Sequence, residues 1–339
     1  MPDEHLWTDL GGGLMGNHQI SDELLGAVSG ECRVAAYARP VPGGFKKNAG
    51  DTVTWYHTLP IPDTEDSTLQ EEGEIPVKMM NFGRTSMLVT EHGVALKFSH
   101  KLELLFKFRP DAIFKDKLTQ QMSETMDNEA SRDGFLSSQV MIQATPTSLT
   151  GLTFGTNGAP VAVAAASMTK DHVKKISSYM WDTIHVPFYT RAARKKTIGN
   201  TPAESGSNDH YVCLSAGGNI ENLLLDPTVE RWQQAMGKGD MLYKNEQCNL
   251  FNIRFVRINR QHAFADEIDA NGLISDAVFF GAESVAFAEA ETPSLRLQPN
   301  WGAKGGLLHA MFWYGVYNYG LFWPYSDDGL AKMIRWNSL

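Results

Sequence analysis

The sequence has few of the residues that disulfide frameworks, zinc sites and nucleic-acid binders need. It holds three cysteines in 339 residues, Cys32, Cys213 and Cys248, and none lies in a CxxC spacing. This excludes a disulfide framework and favours a reducing compartment. The ten histidines form no HExxH or HxxxH pair, so no metal or cofactor site is predicted. Basic residues are outnumbered by acidic ones, which gives the chain a net charge of -9. This charge argues against binding DNA through a broad basic face.

Long hydrophobic runs are missing as well. The first ten residues include Asp3, Glu4 and Asp9, so we expect no signal peptide. The most aromatic stretch, residues 311–325, is too short for a membrane span and is interrupted by Pro324. It predicts a buried or interfacial strand, and we expect no membrane partner.

The remaining pattern predicts a globular α+β fold, with 42% hydrophobic and 20% charged residues. A long amphipathic helix is expected at about 111–140, because apolar residues recur every four positions at Phe114, Leu118, Met122, Met126 and Ala130. A second helix should begin after Thr169, present Val173, Ile176, Met180 and Ile184 on one face, and end before Pro187. A third should begin at Asp226 and Pro227 and run through Trp232 to Met236. Strands are predicted at 161–163, 211–214, 251–258, 277–280 and near 313.

The most informative stretch is residues 45–108, which predict a long two-stranded hairpin. Apolar residues alternate on the outgoing strand at Val53, Trp55, His57 and Leu59, and on the returning strand they occupy even positions from 94 to 108. An isolated hairpin is marginal in water, so its apolar side needs another surface. That surface is either a neighbouring copy of the chain or the hairpin's own domain.

Two charged clusters are candidates for contacts between subunits, together with Trp55. The predicted hairpin tip is acidic and has no basic residue; it contains Asp63, Glu65, Asp66, Glu71, Glu72 and Glu74. The densest basic cluster is Arg191, Arg194, Lys195 and Lys196. A solvated surface is the simpler explanation of the basic cluster, and the alternative is that it contacts the acidic tip of another copy across an interface.

Catalytic motifs are present only in fragments. Residues 11–16 satisfy GxGxxG, but no strand precedes them. Ser167 and Lys170 match an SxxK motif without its partner motifs, so a helix start is favoured. Ser215 follows Cys213 where a nucleophile elbow requires glycine. We predict no catalytic residues and no enzyme activity; a soluble hydrolase using Ser167 or Ser215 is the competing hypothesis.

Three segments together resemble a known family. KKNAGDTV at 46–53, QEEGEIP at 70–76 and EHGVALKFS at 91–99 are similar to the opening third of major capsid proteins from podovirus-type tailed bacteriophages. FFGAESV at 279–285 is similar to the segment with which those proteins re-enter their peripheral domain. His92 stands where an aromatic Tyr is expected, and residues 1–17 match nothing in that family.

The resemblance implies the Hong Kong 97-type capsid fold. Its implied parts are an N-terminal arm (1–44), an extended hairpin or E-loop (45–90), a first peripheral part (91–166), an axial domain (167–277) and a second peripheral part (278–339). It also implies self-assembly into hexamers and pentamers of an icosahedral head that encloses double-stranded DNA, with weak, non-specific DNA contact.

Further partners and a location follow from the same resemblance. The implied partners are portal, scaffolding and decoration or cement proteins. The implied location is the virion, assembled in the bacterial host cytoplasm. The alternative within the same fold is the shell protein of a cellular nanocompartment, which encloses enzyme cargo instead of a genome.

Overall fold

The computed structural model of the protein describes residues 34–41, 50–58, 80, 82–99, 110–136, 141–144, 152–154, 168–183, 185–189, 210–230, 246–258, 266–269, 272–298, 308–323 and 332–337. The helices are α1 (Pro110–Glu129), α2 (Lys170–Ser178) and α3 (Gly217–Leu224), and the first two continue as π-helical turns over Ala130–Phe135 and Tyr179–Thr183. The strands are β1 (Arg39–Pro40), β2 (Thr52–Thr58), β3 (Phe82–Leu88), β4 (Thr90–Ser99), β5 (Met141–Ala144), β6 (Leu152–Phe154), β7 (Tyr211–Ser215), β8 (Glu246–Leu250), β9 (Ile253–Arg257), β10 (Asp266–Asp269), β11 (Gly272–Phe280), β12 (Val285–Gln298), β13 (Leu308–Leu321) and β14 (Met333–Asn337). Mixed helices and sheets confirm the predicted α+β class.

A four-stranded sheet with the order β1-β12-β13-β4 carries the long helix α1 on one face. Leu118 and Met122 of α1 pack in one core with Trp313 and Tyr317 of β13. The two 14-residue strands β12 and β13 are antiparallel and lose register near Pro293, where a proline can be tolerated because the ladder is already interrupted. This sheet and its helix form the first half of the framework.

An eight-stranded sheet forms the second half, with the order β6-β5-β14-β11-β7-β9-β8 and β10 paired to β11. Its central strands are buried on both faces. Val212 and Leu214 of β7 face the core shared with α1, while Tyr211 and Cys213 face a second core that includes α2 and α3 residues. Four consecutive apolar residues, as at 211–214 of β7, are typical of a strand with two buried faces.

The long helix confirms the predicted periodicity. Leu118, Met122 and Ala130 are buried, and Phe114 and Met126 pack against the same core. Regular α-helix ends at Glu129, and π-helical turns follow to Phe135, in which the Leu136 N–H donates to the Ser131 carbonyl at 2.8 Å. Positions 137–140 of the predicted helix lie outside the described residues.

The other helix starts also follow their predicted caps. At α2 the Thr169 N–H donates to Nδ1 of His172 at 3.2 Å, and Val173, Ile176 and Met180 are buried in the second core. Asp226 accepts the Thr228 N–H at 2.9 Å, and residues 227–230 are helical. The predicted strands at 211–214, 251–258, 277–280 and near 313 correspond to β7, β9, β11 and β13. The predicted strand at 161–163, Ile184 and residues 231–236 lie outside the described residues.

The hairpin prediction is half right. The outgoing strand is β2, and it pairs antiparallel with β3 in a separate two-stranded sheet. The predicted returning strand was wrong, because β4 leaves the hairpin and pairs with β13 along its whole length. Positions 100–108 of that predicted strand lie outside the described residues.

Candidate assembly surface

The base of the hairpin presents two different faces. Because side chains alternate along a strand, Val53 and Trp55 of β2 share one face with Met87 of β3, and Tyr56 and Phe82 lie on the other. We call these the inner face and the outer face. The inner face is directed at the four-stranded sheet of the same chain.

The inner face is anchored by packing and by hydrogen bonds. Trp55 is 4% exposed, its ring lies 5.7 Å from that of Phe322, and its Nε1 donates to the Phe322 carbonyl at 3.1 Å. Asn318 Nδ2 donates to the Leu88 carbonyl at 2.6 Å. A side chain at Gly320 would have its Cβ 2.9 Å from the Met87 sulfur, so glycine allows β3 to approach the sheet this closely. The base of the hairpin is therefore fixed in position on its own body.

The outer face exposes three large apolar side chains among polar ones, since Thr54, Arg84 and Ser86 lie on the same face. Tyr56 is 71% exposed, Phe82 is 66% exposed and Leu88 is 49% exposed. Met80 lies next to this surface in the chain and is 49% exposed. Several large apolar side chains together on one exposed face are typical of a surface that binds another molecule.

The contact candidates predicted from the sequence fall into two groups, one buried residue and two clusters that the structure does not describe. Trp55 is buried in its own chain, which leaves little of its ring for a neighbouring subunit. The acidic tip and the basic cluster, Asp63, Glu65, Asp66, Glu71, Glu72, Glu74, Arg191, Arg194, Lys195 and Lys196, lie outside the described residues. The outer-face residues Tyr56, Phe82 and Leu88 were missed, although their exposed side chains form the more accessible surface.

A cation lies beside the anchored face. Lys332 Nζ lies 3.9 Å from the centroid of the Trp323 ring and 3.9 Å from Oε2 of Glu283. Burial lowers the pKa of the Lys332 amine, and the Glu283 carboxylate acts in the opposite direction. Glu283 also pairs with Arg39 of β1. Trp323 packs against the core of the inner face, so these charges border the root of the hairpin.

A second polar group lies where β4 leaves the hairpin. The His92 ring stacks on Tyr317 with centroids 4.5 Å apart, and its Nε2 lies 2.8 Å from the Thr90 hydroxyl. Burial lowers the pKa of His92. Burial also raises the pKa of Glu129, whereas its neighbour Asp133 has a lowered pKa because of its hydrogen bond with Arg132. The arrangement joins the end of the long helix to the sheet.

The fragments of catalytic motifs do not form a site. Ser215 is fully buried and its hydroxyl donates to the Ala216 carbonyl at 3.0 Å. Lys170 begins α2 and pairs with Asp226 at 3.2 Å. Ser167 and residues 11–16 lie outside the described residues. Within the described ranges, no three His, Cys, Asp or Glu side chains are grouped to hold a metal ion. The helices among those ranges also include none that is both long and apolar enough to cross a membrane.

Comparison with solved structures identifies the fold. The capsid of Ralstonia phage GP4 aligns with a TM-score of 0.56 at 12% identity, covering 91% of this chain and 88% of that one. The cyanophage Pam1 capsid aligns with a TM-score of 0.57 at 11% identity, covering 86% of each chain. The acid-stable capsid of Helicobacter pylori bacteriophage KHP30 gives 0.57 at 12% identity, covering 87% of this chain and 86% of that one.

The chain has the Hong Kong 97-type fold of phage capsids. No protein-family model matches the sequence, and no curated protein matches it either. The likeness therefore lies in the arrangement of helices and strands over most of the length of both chains, at a sequence identity of 11–12%. In this capsid fold the hairpin, the long helix and the two sheets are parts of one subunit.

Proposed function

We propose that this protein is the major structural subunit of a bacteriophage head and has no catalytic role. The observation that carries the proposal is the hairpin of a capsid fold, anchored by one face and exposing apolar side chains on the other. A subunit that acts alone gains nothing from such a surface. A subunit that assembles buries it, and each buried Å² of apolar area contributes about 25 cal/mol.

The parts of the fold are assigned as the resemblance implies. Residues 1–44 are the N-terminal arm, 45–90 the E-loop, 91–166 and 278–339 the peripheral domain, and 167–277 the axial domain. Copies of the chain form hexamers and pentamers that close into an icosahedral shell around double-stranded DNA. Heterologous contacts between identical copies generate a ring when the rotation between subunits closes on itself, and an open filament when it does not. The anchored hairpin base supports this by holding the hairpin at one angle to its body.

Charge is consistent with enclosing DNA rather than binding it. A chain with a net charge of -9 holds phosphate weakly, so contact with the packaged genome is non-specific. The acidic tip (Asp63, Glu65, Asp66, Glu71, Glu72 and Glu74) and the basic cluster (Arg191, Arg194, Lys195 and Lys196) remain candidates for contacts between subunits. Portal, scaffolding and decoration or cement proteins are further partners of a shell assembled in the host cytoplasm.

Recombinant expression followed by electron microscopy tests the proposal. We expect rings or closed shells, with nucleic acid in shells purified from infected cells. Closed shells of uniform size that enclose protein cargo and no genome would indicate the nanocompartment alternative. A subunit that stays monomeric at high concentration, both alone and with scaffolding protein, would contradict both.

A further inference from the structure

Residues 34–41 connect two separate hydrophobic cores. Val34 is 2% exposed and lies in the core between α1 and the sheets. Val41 is 7% exposed and lies in the core under the hairpin, with Trp55 and Met87. A segment of eight residues thus has one end under the long helix and the other end under the hairpin.

The first end of this segment is held by a buried carboxylate. Oδ1 of Asp127, on α1, accepts the N–H groups of Val34 at 3.3 Å and of Ala35 at 3.2 Å. Asp127 is 3% exposed. Hydrogen bonds to a buried carboxylate are stronger than those between neutral groups, and removing the acceptor would leave buried donors unsatisfied.

The second end is held by a strand pair and an ion pair. Arg39 and Pro40 pair in parallel with β12, and the Val41 N–H donates to the Phe287 carbonyl at 2.9 Å. Arg39 also pairs with Glu283, whose backbone has φ of 58°. That conformation favours glycine, and a glutamate there is strained by about 1 kcal/mol or more. The contacts of the Glu283 side chain with both Arg39 and Lys332 explain why a charged residue occupies a position that suits glycine.

The middle of the segment is packed as well. The Tyr37 ring lies 5.9 Å from Tyr189 and 5.8 Å from Phe280, so it contacts the eight-stranded sheet. Because both ends and the middle are held, residues 34–41 contain no loose stretch that could absorb a displacement of residue 34. Such a displacement is therefore passed on to Val41. Val41 in turn contacts the core that anchors Trp55.

We propose that residues 34–41 form a clasp that mechanically couples the chain preceding residue 34 to the hairpin, with Asp127 and Glu283 as positioning residues. When the preceding residues are bound or redirected, the clasp transmits the change to the inner face of the hairpin. The consequence for shell assembly rests on the proposed function, but the coupling itself is a property of the single subunit.

Hydrogen exchange on the unassembled subunit tests the clasp. The variants are Asp127→Asn, which keeps the shape but removes the charge, and Val41→Ala, which loosens the opposite end. The matched control is Asp116→Asn, on an exposed position of the same helix. Exchange is followed in residues 34–38, in the hairpin strands 52–58 and 82–88, and in the central strand 276–280 as a reference for global unfolding.

We expect Asp127→Asn to speed exchange at residues 34–35 by about fivefold and to speed exchange in the hairpin strands in the same direction. Val41→Ala should speed exchange at residues 34–38, and Asp116→Asn should match the unaltered protein. Faster exchange at 34–35 with an unchanged hairpin would overturn the coupling, and unchanged exchange at 34–35 would overturn the role of Asp127.

If Asp127→Asn also speeds exchange at 276–280, Val41→Ala decides, since it leaves the carboxylate in place. Unchanged exchange at 34–38 in Val41→Ala would then overturn the clasp. Because the subunit is unassembled throughout, a protein that forms no shell still reports on the clasp. Failure of the proposed function is thereby separated from failure of this inference.

Discussion

The two-stranded hairpin sheet and the eight-stranded sheet differ in how many of their faces are buried by the same chain. The central strands β7 and β11 of the large sheet are covered on both faces by residues of the same chain. In the part of the chain that the structure describes, the hairpin packs through its inner face, where Trp55 contacts Phe322. Among the described residues, the large sheet is therefore covered within the subunit, whereas the hairpin leaves Tyr56 and Phe82 exposed to a second molecule.

This difference separates residues that matter for folding from residues that matter for assembly. Substitutions in the large sheet should lower the free energy of unfolding and leave the contact surface intact. Substitutions on the outer face of the hairpin should leave the free energy of unfolding nearly unchanged and weaken the contact between subunits. The first prediction below compares one position from each group, and the next two compare a buried group of the large sheet with a group of the four-stranded sheet.

The largest expected effect is on stability, from truncating a ring in the large sheet. Phe279 of β11 is 0% exposed, so Phe279→Ala should lower the free energy of unfolding by about 3–5 kcal/mol, because it removes buried area and leaves a cavity. Phe82→Ala, on the outer face, should change it by about 0.5 kcal/mol or less. Denaturant unfolding of the unassembled subunit measures both, and equal losses would contradict the division.

Ion pairs should follow the same division. Arg254 and Glu246 form a pair at 2.7 Å with side chains 4% and 2% exposed, between β9 and β8 of the large sheet. Glu246→Gln should cost about 3–5 kcal/mol of unfolding free energy, because it leaves a buried cation without its charged partner. The control is Glu291→Gln, which breaks the half-exposed pair with Arg296 in the four-stranded sheet and should cost under about 1 kcal/mol. A similar loss of unfolding free energy in Glu246→Gln and Glu291→Gln would contradict the claim that burial sets the contribution of an ion pair to stability.

A smaller effect is expected from pH through two histidines whose pKa is lowered by burial. His172 packs on Trp336 in the core of the large sheet, and His92 lies where β4 leaves the hairpin. Below the ordinary histidine pKa of 6.5 the unfolded chain binds protons that the folded chain does not. The free energy of unfolding should therefore be highest above pH 6.5 and fall as the pH drops below it.

The variants His172→Gln and His92→Gln each should flatten this pH dependence. For His172 the reason is visible in its hydrogen bond, since Nδ1 accepts the Thr169 N–H and cannot do so when protonated. Unfolding curves measured between pH 7 and pH 5 would show the change in slope. A slope that is unaltered in both variants would contradict the assignment.

Much of the framework could be predicted from local pattern. The stripe at Leu118, Met122 and Ala130 identified the long helix, and Thr169 identified the start of α2, because helix periodicity and caps are set by nearby residues. The apolar runs at 211–214 and 277–280 identified β7 and β11 as strands. These features depend on neighbours within a few positions in the chain.

Partners that are distant in sequence could not be predicted in this way. The alternation in β4 was read as the return of the hairpin, but its partner is β13, more than 200 positions away. The true returning strand β3 carries Gly83, Thr85 and Met87 on its inner face, which is too weakly apolar to stand out. Strand β12 was missed because it contains Pro293 and two acidic residues, Glu289 and Glu291, which are tolerated where its register shifts.

Of the contact candidates chosen from the sequence, the structure describes Trp55 alone, and it buries that ring against the same chain. Trp55 and Tyr56 are adjacent aromatic residues that point to opposite sides of β2, and pattern alone does not say which side the body covers. Trp55 was selected because it alternates with Val53, and that alternation marks the buried face. The exposed face became visible only when the four-stranded sheet defined where the hairpin lies.

The most direct test of the central claim is sedimentation velocity across a range of subunit concentrations, comparing the unaltered protein with Phe82→Ser and Phe82→Leu. Phe82→Leu keeps an apolar side chain and should assemble like the unaltered protein. Phe82→Ser should remain folded, with an unchanged free energy of unfolding, but should stay monomeric at concentrations where the others form capsomers or shells. Assembly of Phe82→Ser at the same concentration as the unaltered protein would contradict the claim that the outer face of the hairpin joins subunits.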